Sequence, residues 1–106
     1  MNASFQFSIL SPSGKAFEGP ASSVMLPGAS GGFGILSGHA PMIAAVQPGL
    51  ATVRTAEGER FFYTGEGVVE VTREAVVLLV DESKALENPS ESKDLVAERT
   101  RKTGAR

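Results

Sequence analysis

The chain of 106 residues contains no cysteine and a single histidine, His39. Without thiols it has neither a disulfide framework nor a thiolate metal ligand or nucleophile, and a reducing compartment is permitted. A serine-histidine-acid arrangement would have to use His39, yet no Gly-x-Ser-x-Gly elbow occurs anywhere in the chain. A metal site would need His39 with carboxylates alone, and none lies at ligand spacing from it. Glu57, Glu59, Glu66, Glu70 and Glu74 fall in or beside turn signals, where a solvated side chain is expected rather than a general acid or base. No catalytic, cofactor-binding or metal-ligating residue is therefore expected.

Long apolar runs are missing as well. No segment approaches the roughly 20 apolar residues of a membrane helix, and Met1-Asn2-Ala3-Ser4 has neither the basic residues nor the apolar stretch of a targeting segment. The reading is a soluble protein that could still dock on a membrane complex. An excess of positive charge is also lacking. The net charge is −2, and residues 1–87 scatter five basic side chains among nine acidic ones, which leaves no footprint for nucleic acid. Residues 88–106 reverse the balance mildly, with five basic against three acidic, as a solvated face would.

What is present points to a folded domain. A hydrophobic content of 42% with 21% charged residues argues against disorder, and the length suits one core while excluding a second full domain. From Phe5 to about Val80 the chain consists of short apolar runs punctuated by glycine and proline, with no helical period and no internal repeat. Phe5–Ile9 alternates apolar and polar, and Ser11-Pro12-Ser13-Gly14 supplies a turn. Further strands are expected at Lys15–Glu18, Ser23–Leu26, Gly34–Leu36, Met42–Val46, Leu50–Thr55, Arg60–Thr64, Gly67–Val71 and Ala75–Val80. The last is apolar at every position, which suggests a strand covered on both faces, with a buried helical turn as the alternative that periodicity alone does not exclude. Beyond it, Asn88 as cap, Pro89 at the first helical position and Glu91 three residues after the cap predict a helix over residues 89–102. Arg99, Arg101 and Lys102 near its end suit the macrodipole, and Gly104 can close it. So poor a helix in apolar residues must pack weakly on the strands or fray. The fold expected is mainly β, a sandwich or barrel of eight to ten strands with one short C-terminal helix.

Glycine is concentrated in Gly28-Ala29-Ser30-Gly31-Gly32-Phe33-Gly34. A phosphate-binding loop would end in Gly-Lys-Ser/Thr at a helix start, and here the segment runs into Ile35-Leu36-Ser37-Gly38-His39 instead. The expectation is a loop needing positive φ and close backbone approach. Phe33 within it is either tucked under the loop or offered to a partner.

The segment Gly34-Ile35-Leu36-Ser37-Gly38-His39-Ala40-Pro41-Met42-Ile43-Ala44-Ala45-Val46-Gln47-Pro48-Gly49 resembles the signature of F-type ATP synthase epsilon subunits, called delta in mitochondria. That family shows a glycine loop leading into Gly-His-Ala-Pro, a short apolar strand and Pro-Gly in the same order and spacing. Its opening Phe-x-x-x-Ile/Val-x-Ser/Thr-Pro pattern is met by Phe5, Ile9, Ser11 and Pro12, and its later aromatic strand and turn by Phe61–Gly67. The resemblance covers about residues 3–85. It implies a flattened β-sandwich of about ten strands over residues 1–85, followed by a helical tail over 86–106.

The resemblance further implies a non-catalytic central-stalk rotor part that links the gamma subunit to the membrane ring of c subunits and couples ion flow to ATP synthesis. Such a part lies peripherally on the cytoplasmic face of the bacterial inner membrane, held there through the complex. By the same matching Gly31, Gly32 and Phe33 fall at the c-ring interface, and His39, Ala40, Pro41 and Met42 at the gamma interface. The family often has an acidic residue where this chain has Gly32, which shifts weight towards Phe33. For His39 a satisfied turn and direct contact with gamma both stand open. Regulated members carry a two-helix hairpin after the sandwich, and some bind ATP through Asp-x-x-Arg-Ala. Here Asp94 is followed by arginine only at Arg99, and residues 86–106 accommodate one helix of about 21 Å. The expectation is coupling without the usual inhibition and without a bound nucleotide. A free-standing β-sandwich gripping a small ligand through its glycine loop, and a small hydrolase, are the competing readings.

Overall fold

A computed structural model describes residues 3–103. The expected closure of the helix by Gly104 lies outside the described residues. Ten strands precede one helix: β1 (Phe5–Ser11), β2 (Gly14–Ala21), β3 (Ser23–Gly28), β4 (Gly31–Leu36), β5 (Met42–Val46), β6 (Gly49–Thr55), β7 (Gly58–Thr64), β8 (Gly67–Val71), β9 (Ala75–Val80), β10 (Ser83–Leu86) and α1 (Glu91–Thr103). The fold is the expected mainly β sandwich.

The strands form one continuous sheet in the order β10-β7-β6-β3-β5-β8-β9-β1-β2, with β4 paired to β3 alongside this path. Neighbours are antiparallel except β1 and β9, which run parallel from Gln6↔Ala75 to Leu10↔Leu79. Between β3 and β5 the ladder narrows to the single pair Gly28↔Val46. Two flanking backbone bonds, Ala29 N to Ala45 O at 3.1 Å and Gln47 N to Pro27 O at 2.8 Å, complete this joint. The sheet folds over there, and β2 comes to lie near β10 and β6 at the open side.

Alternate residues of each strand turn inward, as the two-residue period of a strand requires. Phe7 and Ile9 from β1, Val24 and Leu26 from β3, Ile35 from β4, Val53 from β6, Phe62 from β7, Val69 from β8 and Leu78 from β9 are buried completely or almost so. Phe17 of β2 stands 5.9 Å from both Phe7 and Phe62, ring centre to ring centre, and joins the two halves. The Arg60 guanidinium lies 5.3 Å from the Phe62 ring and 5.8 Å from that of Phe17, roofing this stack with a cation–π contact.

Three local readings change. The strand β10 was not anticipated, because Ser83-Lys84-Ala85-Leu86 has no β-branched residue. Its ladder to β7, Ser83↔Thr64 to Leu86↔Phe61, supplies what propensity does not. The glycine-rich segment forms no open loop, since β4 begins at Gly31 and only Ala29-Ser30 connect it to β3. The strand β9 is covered on one face only: Val76, Leu78 and Val80 are buried, whereas Leu79 is 45% exposed.

The helix starts at Glu91, two residues after the expected position, and the Glu91 carboxylate accepts the backbone amides of Glu87 (3.1 Å) and Asn88 (3.3 Å). That is the reach-back half of a capping box. The helix docks against β6 and β7. Its inward residues Ser92, Leu95, Val96 and Arg99 follow helical spacing, with Ser92 buried and the other three half-buried. Tyr63 of β7, 3% exposed, lines the same groove as Leu95 and Arg99 and donates its hydroxyl to Glu82 Oε2 at 2.9 Å.

Thr64 is fully buried and its hydroxyl has no hydrogen-bond partner, so Thr64→Val should raise stability by about 1 kcal/mol in thermal or urea unfolding; a loss would show that the hydroxyl is satisfied. Burial, then the Glu82 carboxylate, raise the Tyr63 pKa above its usual 10, against the opposing pull of Arg99. The phenol is an acid whose folded value is raised, so its contribution to stability is complete below about pH 10 and lost as pH rises through the folded value. Since Tyr63 is the chain's one tyrosine and tryptophan is absent, phenolate absorbance reads it directly, and its midpoint should fall above that of a free tyrosine.

Candidate functional site

The residues singled out by sequence lie at the two ends of β4. At its start, the β3–β4 hairpin makes a tight tip in which Gly31 adopts φ 128°, a left-handed backbone that favours glycine. Gly31 and Gly32 are exposed there. Phe33 pairs across from Leu26, is half-buried and packs against the core, so of its two readings the structure shows the inward one. Its ring lies over Gly28: a Cβ at that position would stand 2.7 and 2.8 Å from two ring carbons. The tip thus presents backbone and small residues outward over an aromatic floor.

Past the other end of β4, Ser37–Pro41 form a turn. Gly38 takes φ 87°, and the His39 amide donates to the Leu36 carbonyl at 3.0 Å. Nδ1 of His39 lies 2.7 Å from the Ala40 carbonyl, so the ring donates its Nδ1 proton there and directs Nε2 away. His39 is half-buried, with Ala40 and Pro41 exposed. Met42 is half-buried and packs against the core, while Ile43 beside it faces out and is 71% exposed. The turn walls a groove of about 590 Å³ shared with the start of β1 and the Thr72-Arg73-Glu74 turn. The run from Gly31 to Leu36 spans roughly 17 Å at strand rise, so the two places are well separated.

Between them lies a surface that sequence reading missed. The outward residues Ala45, Val68, Leu79 and Leu10 stand in register across β5, β8, β9 and β1, with Ile43 and Val77 in the next row on either side of Glu70. Ile43, Leu79 and Val68 are 71%, 45% and 40% exposed, a contiguous apolar face of a kind that marks interaction sites. The unbroken apolar composition of β9 carried the signal: it describes a strand covered twice, and this chain covers it once.

Residues 4–85 match the family described as ATP synthase, delta/epsilon chain, beta-sandwich domain. The ATP synthase epsilon chain of Rhodopseudomonas palustris strain BisB5 is 37% identical over 84 residues, which is 79% of this chain and 62% of that protein. The epsilon chain of Nitrobacter winogradskyi is 36% identical over 85 residues, 80% of this chain and 63% of that protein. A chain in a structure of the Euglena gracilis mitochondrial ATP synthase with its c-ring superposes with a TM-score of 0.76 at 19% identity, covering 97% of this chain and 67% of that one. A chain in a structure of the central stalk and c-ring of the Tetrahymena thermophila mitochondrial ATP synthase gives 0.62 at 10% identity, covering 93% and 91%. These two likenesses concern the fold. The chain belongs to the ATP synthase delta/epsilon family through its β-sandwich, as the motif around Gly38-His39-Ala40-Pro41 implied. It spans about 62% of the length of the curated relatives it matches.

The packing of Phe33 over Gly28 sets the shape of the hairpin tip. Gly28→Ala should therefore force the ring or the hairpin aside and lower stability by about 1–3 kcal/mol, read as a reduced urea midpoint. An unchanged midpoint would mean that the tip adjusts freely.

Proposed function

We propose that the chain is the epsilon-type rotor part of an ATP synthase central stalk, joining the gamma subunit to the c-ring and passing ion-driven rotation towards the catalytic head. The observation that carries this reading is the placement of two distinct surfaces on one rigid sandwich. The glycine tip lies at one end of β4, and the His39 turn, continuous through Ile43 with the apolar sheet face, lies at the other. A bridging part needs two separated contacts and a body that does not absorb strain, and a densely packed β core transmits displacement. Gly31 and Gly32, with Phe33 beneath them, meet the polar loops of the c-ring. Their lack of side chains lets a partner's backbone approach closely. His39, Ala40, Pro41 and the rim of Met42 meet gamma, with Ile43, Val68 and Leu79 extending that contact.

The part contributes no bond-making chemistry of its own; synthesis belongs to the assembly. It sits peripherally at the cytoplasmic face of the bacterial inner membrane through its partners, as befits a chain whose curated relatives include bacterial epsilon chains. Among the described residues no helix is long and apolar enough to cross a membrane. With α1 docked on β6 and β7, the residues after the sandwich act as part of the rotor body and not as an inhibitory arm.

Replacing Ile43 and Leu79 together by lysine should change melting little, because both side chains are exposed and position 43 pairs across from Glu70, and should weaken binding to gamma about 100-fold in a titration. Wild-type affinity in the double variant, or no binding of the wild-type chain to gamma at micromolar concentration, would count against the reading.

A further inference from the structure

We infer that α1 is an electrostatic strap, held on the sandwich by Arg99 as its one latch. The helix has 13 residues, and a helix of this length is marginal by itself. Its apolar grip consists of Leu95 and Val96, both only half-buried. Ser92, the buried polar residue of the same face, spends its hydroxyl on the Pro89 carbonyl at 2.9 Å, in the segment just before the helix and not on the sheet. Something else must hold the helix down.

One turn beyond Leu95, Arg99 reaches three carboxylates that the sheet supplies from two connections. Asp81 takes a two-pronged contact, Nη2 to Oδ2 at 2.8 Å and Nη1 to Oδ1 at 3.3 Å, from the segment between β9 and β10. Glu82, the next residue, accepts a short bond from Nη1 and also the Tyr63 hydroxyl. Glu66, from the segment between β7 and β8, stands 3.8 Å from Nη2. The Arg99 side chain is 20% exposed, whereas Asp81, Glu82 and Glu66 are 49%, 49% and 67% exposed, so it is the two-pronged geometry and the number of partners, more than depth, that set this contact apart from an isolated surface pair.

The cradle is built into the backbone. Gly65 donates its amide to the Glu82 carbonyl at 2.8 Å, and a Cβ there would overlap the Asp81 carboxylate and stand 3.0 Å from Nη1 of Arg99. A side chain at position 65 would therefore displace the Asp81 carboxylate and break its two-pronged contact with Arg99. With Arg99 withdrawn, the Asp81, Glu82 and Glu66 carboxylates would lose the guanidinium they share, although Lys102 lines the same groove as Asp81 and Glu82. The helix is thus held by charge more than by apolar contact, and its release responds to ionic strength: the screening length falls from about 10 Å at 0.1 M salt to about 3 Å at 1 M. Leaving would uncover Tyr63, which reports the event without a label.

The test is amide hydrogen exchange on the full chain, together with acrylamide quenching of Tyr63 fluorescence, for wild type, Arg99→Gln and Gly65→Ala. Gly65→Ala displaces the Asp81 arm of the latch while keeping every charge. The expected result is a loss of protection of about tenfold or more confined to residues 91–103 in both variants. Acrylamide, an uncharged quencher, should reach the Tyr63 ring more readily in both variants, and wild type at 1 M sodium chloride should move the same way. Unchanged exchange of α1 in both variants would overturn the inference, as would a uniform loss of protection through β1 to β9, which would make Arg99 a support of the whole sandwich instead of a latch.

Discussion

The aromatic bridge Phe7–Phe17–Phe62 holds the folded-over sheet closed, and most of what the molecule can do depends on it. Between β3 and β5 the sheet is continuous through one residue pair only, so backbone hydrogen bonding alone would leave the two halves free to splay. Side chains from β1, β2 and β7 fill that gap: Phe17 meets Phe7 on one side and Phe62 on the other, and each such pair contributes beyond its buried area. Closure then fixes the relative position of the hairpin tip, the His39 turn and the apolar sheet face. A rotor part whose two contacts drifted relative to one another could not hand on torque.

Much of this architecture could be read from the residues. The alternation in Phe5–Ile9, the turn glycines and the two later hairpins define most of the strands, because inward and outward positions follow directly from a period of two. Tight turns were legible wherever positive φ is needed, as at Gly14, Gly31, Gly38 and Gly58. The strand β10 was not, since Ser83–Leu86 takes its conformation from β7 and not from its own propensities. The start of β4 was missed for a related reason: Gly31 and Gly32 are poor strand formers, and cross-strand pairing with Pro27 and Gly28 draws them into the ladder.

For the candidate site, the motif at Gly38-His39-Ala40-Pro41 gave the family, but orientation came only with the fold. Whether Phe33 points in or out depends on its pairing with Leu26, and whether Met42 or Ile43 faces the solvent depends on which face of β5 meets Val69 and Val71. Arg99 illustrates a different limit. Its place near the end of a helix suggests a role towards the macrodipole, whereas its partners lie 17 and 18 residues earlier at the ends of other elements, a distance no local pattern encodes.

The parallel pairing of β1 with β9 has a bearing on how the chain is made. Strand β1 leaves the ribosome before the other nine, yet one of its two neighbours, Ala75–Leu79, is synthesised some seventy residues later. Until then Phe7 and Ile9 have half of their surroundings missing, and β1 with β2 can form no more than a two-stranded ribbon, a marginal object in water. Completion of the sandwich is therefore a late, long-range event, slow in the manner of non-local sheets, and the nascent chain exposes its most apolar strand edges for most of its synthesis.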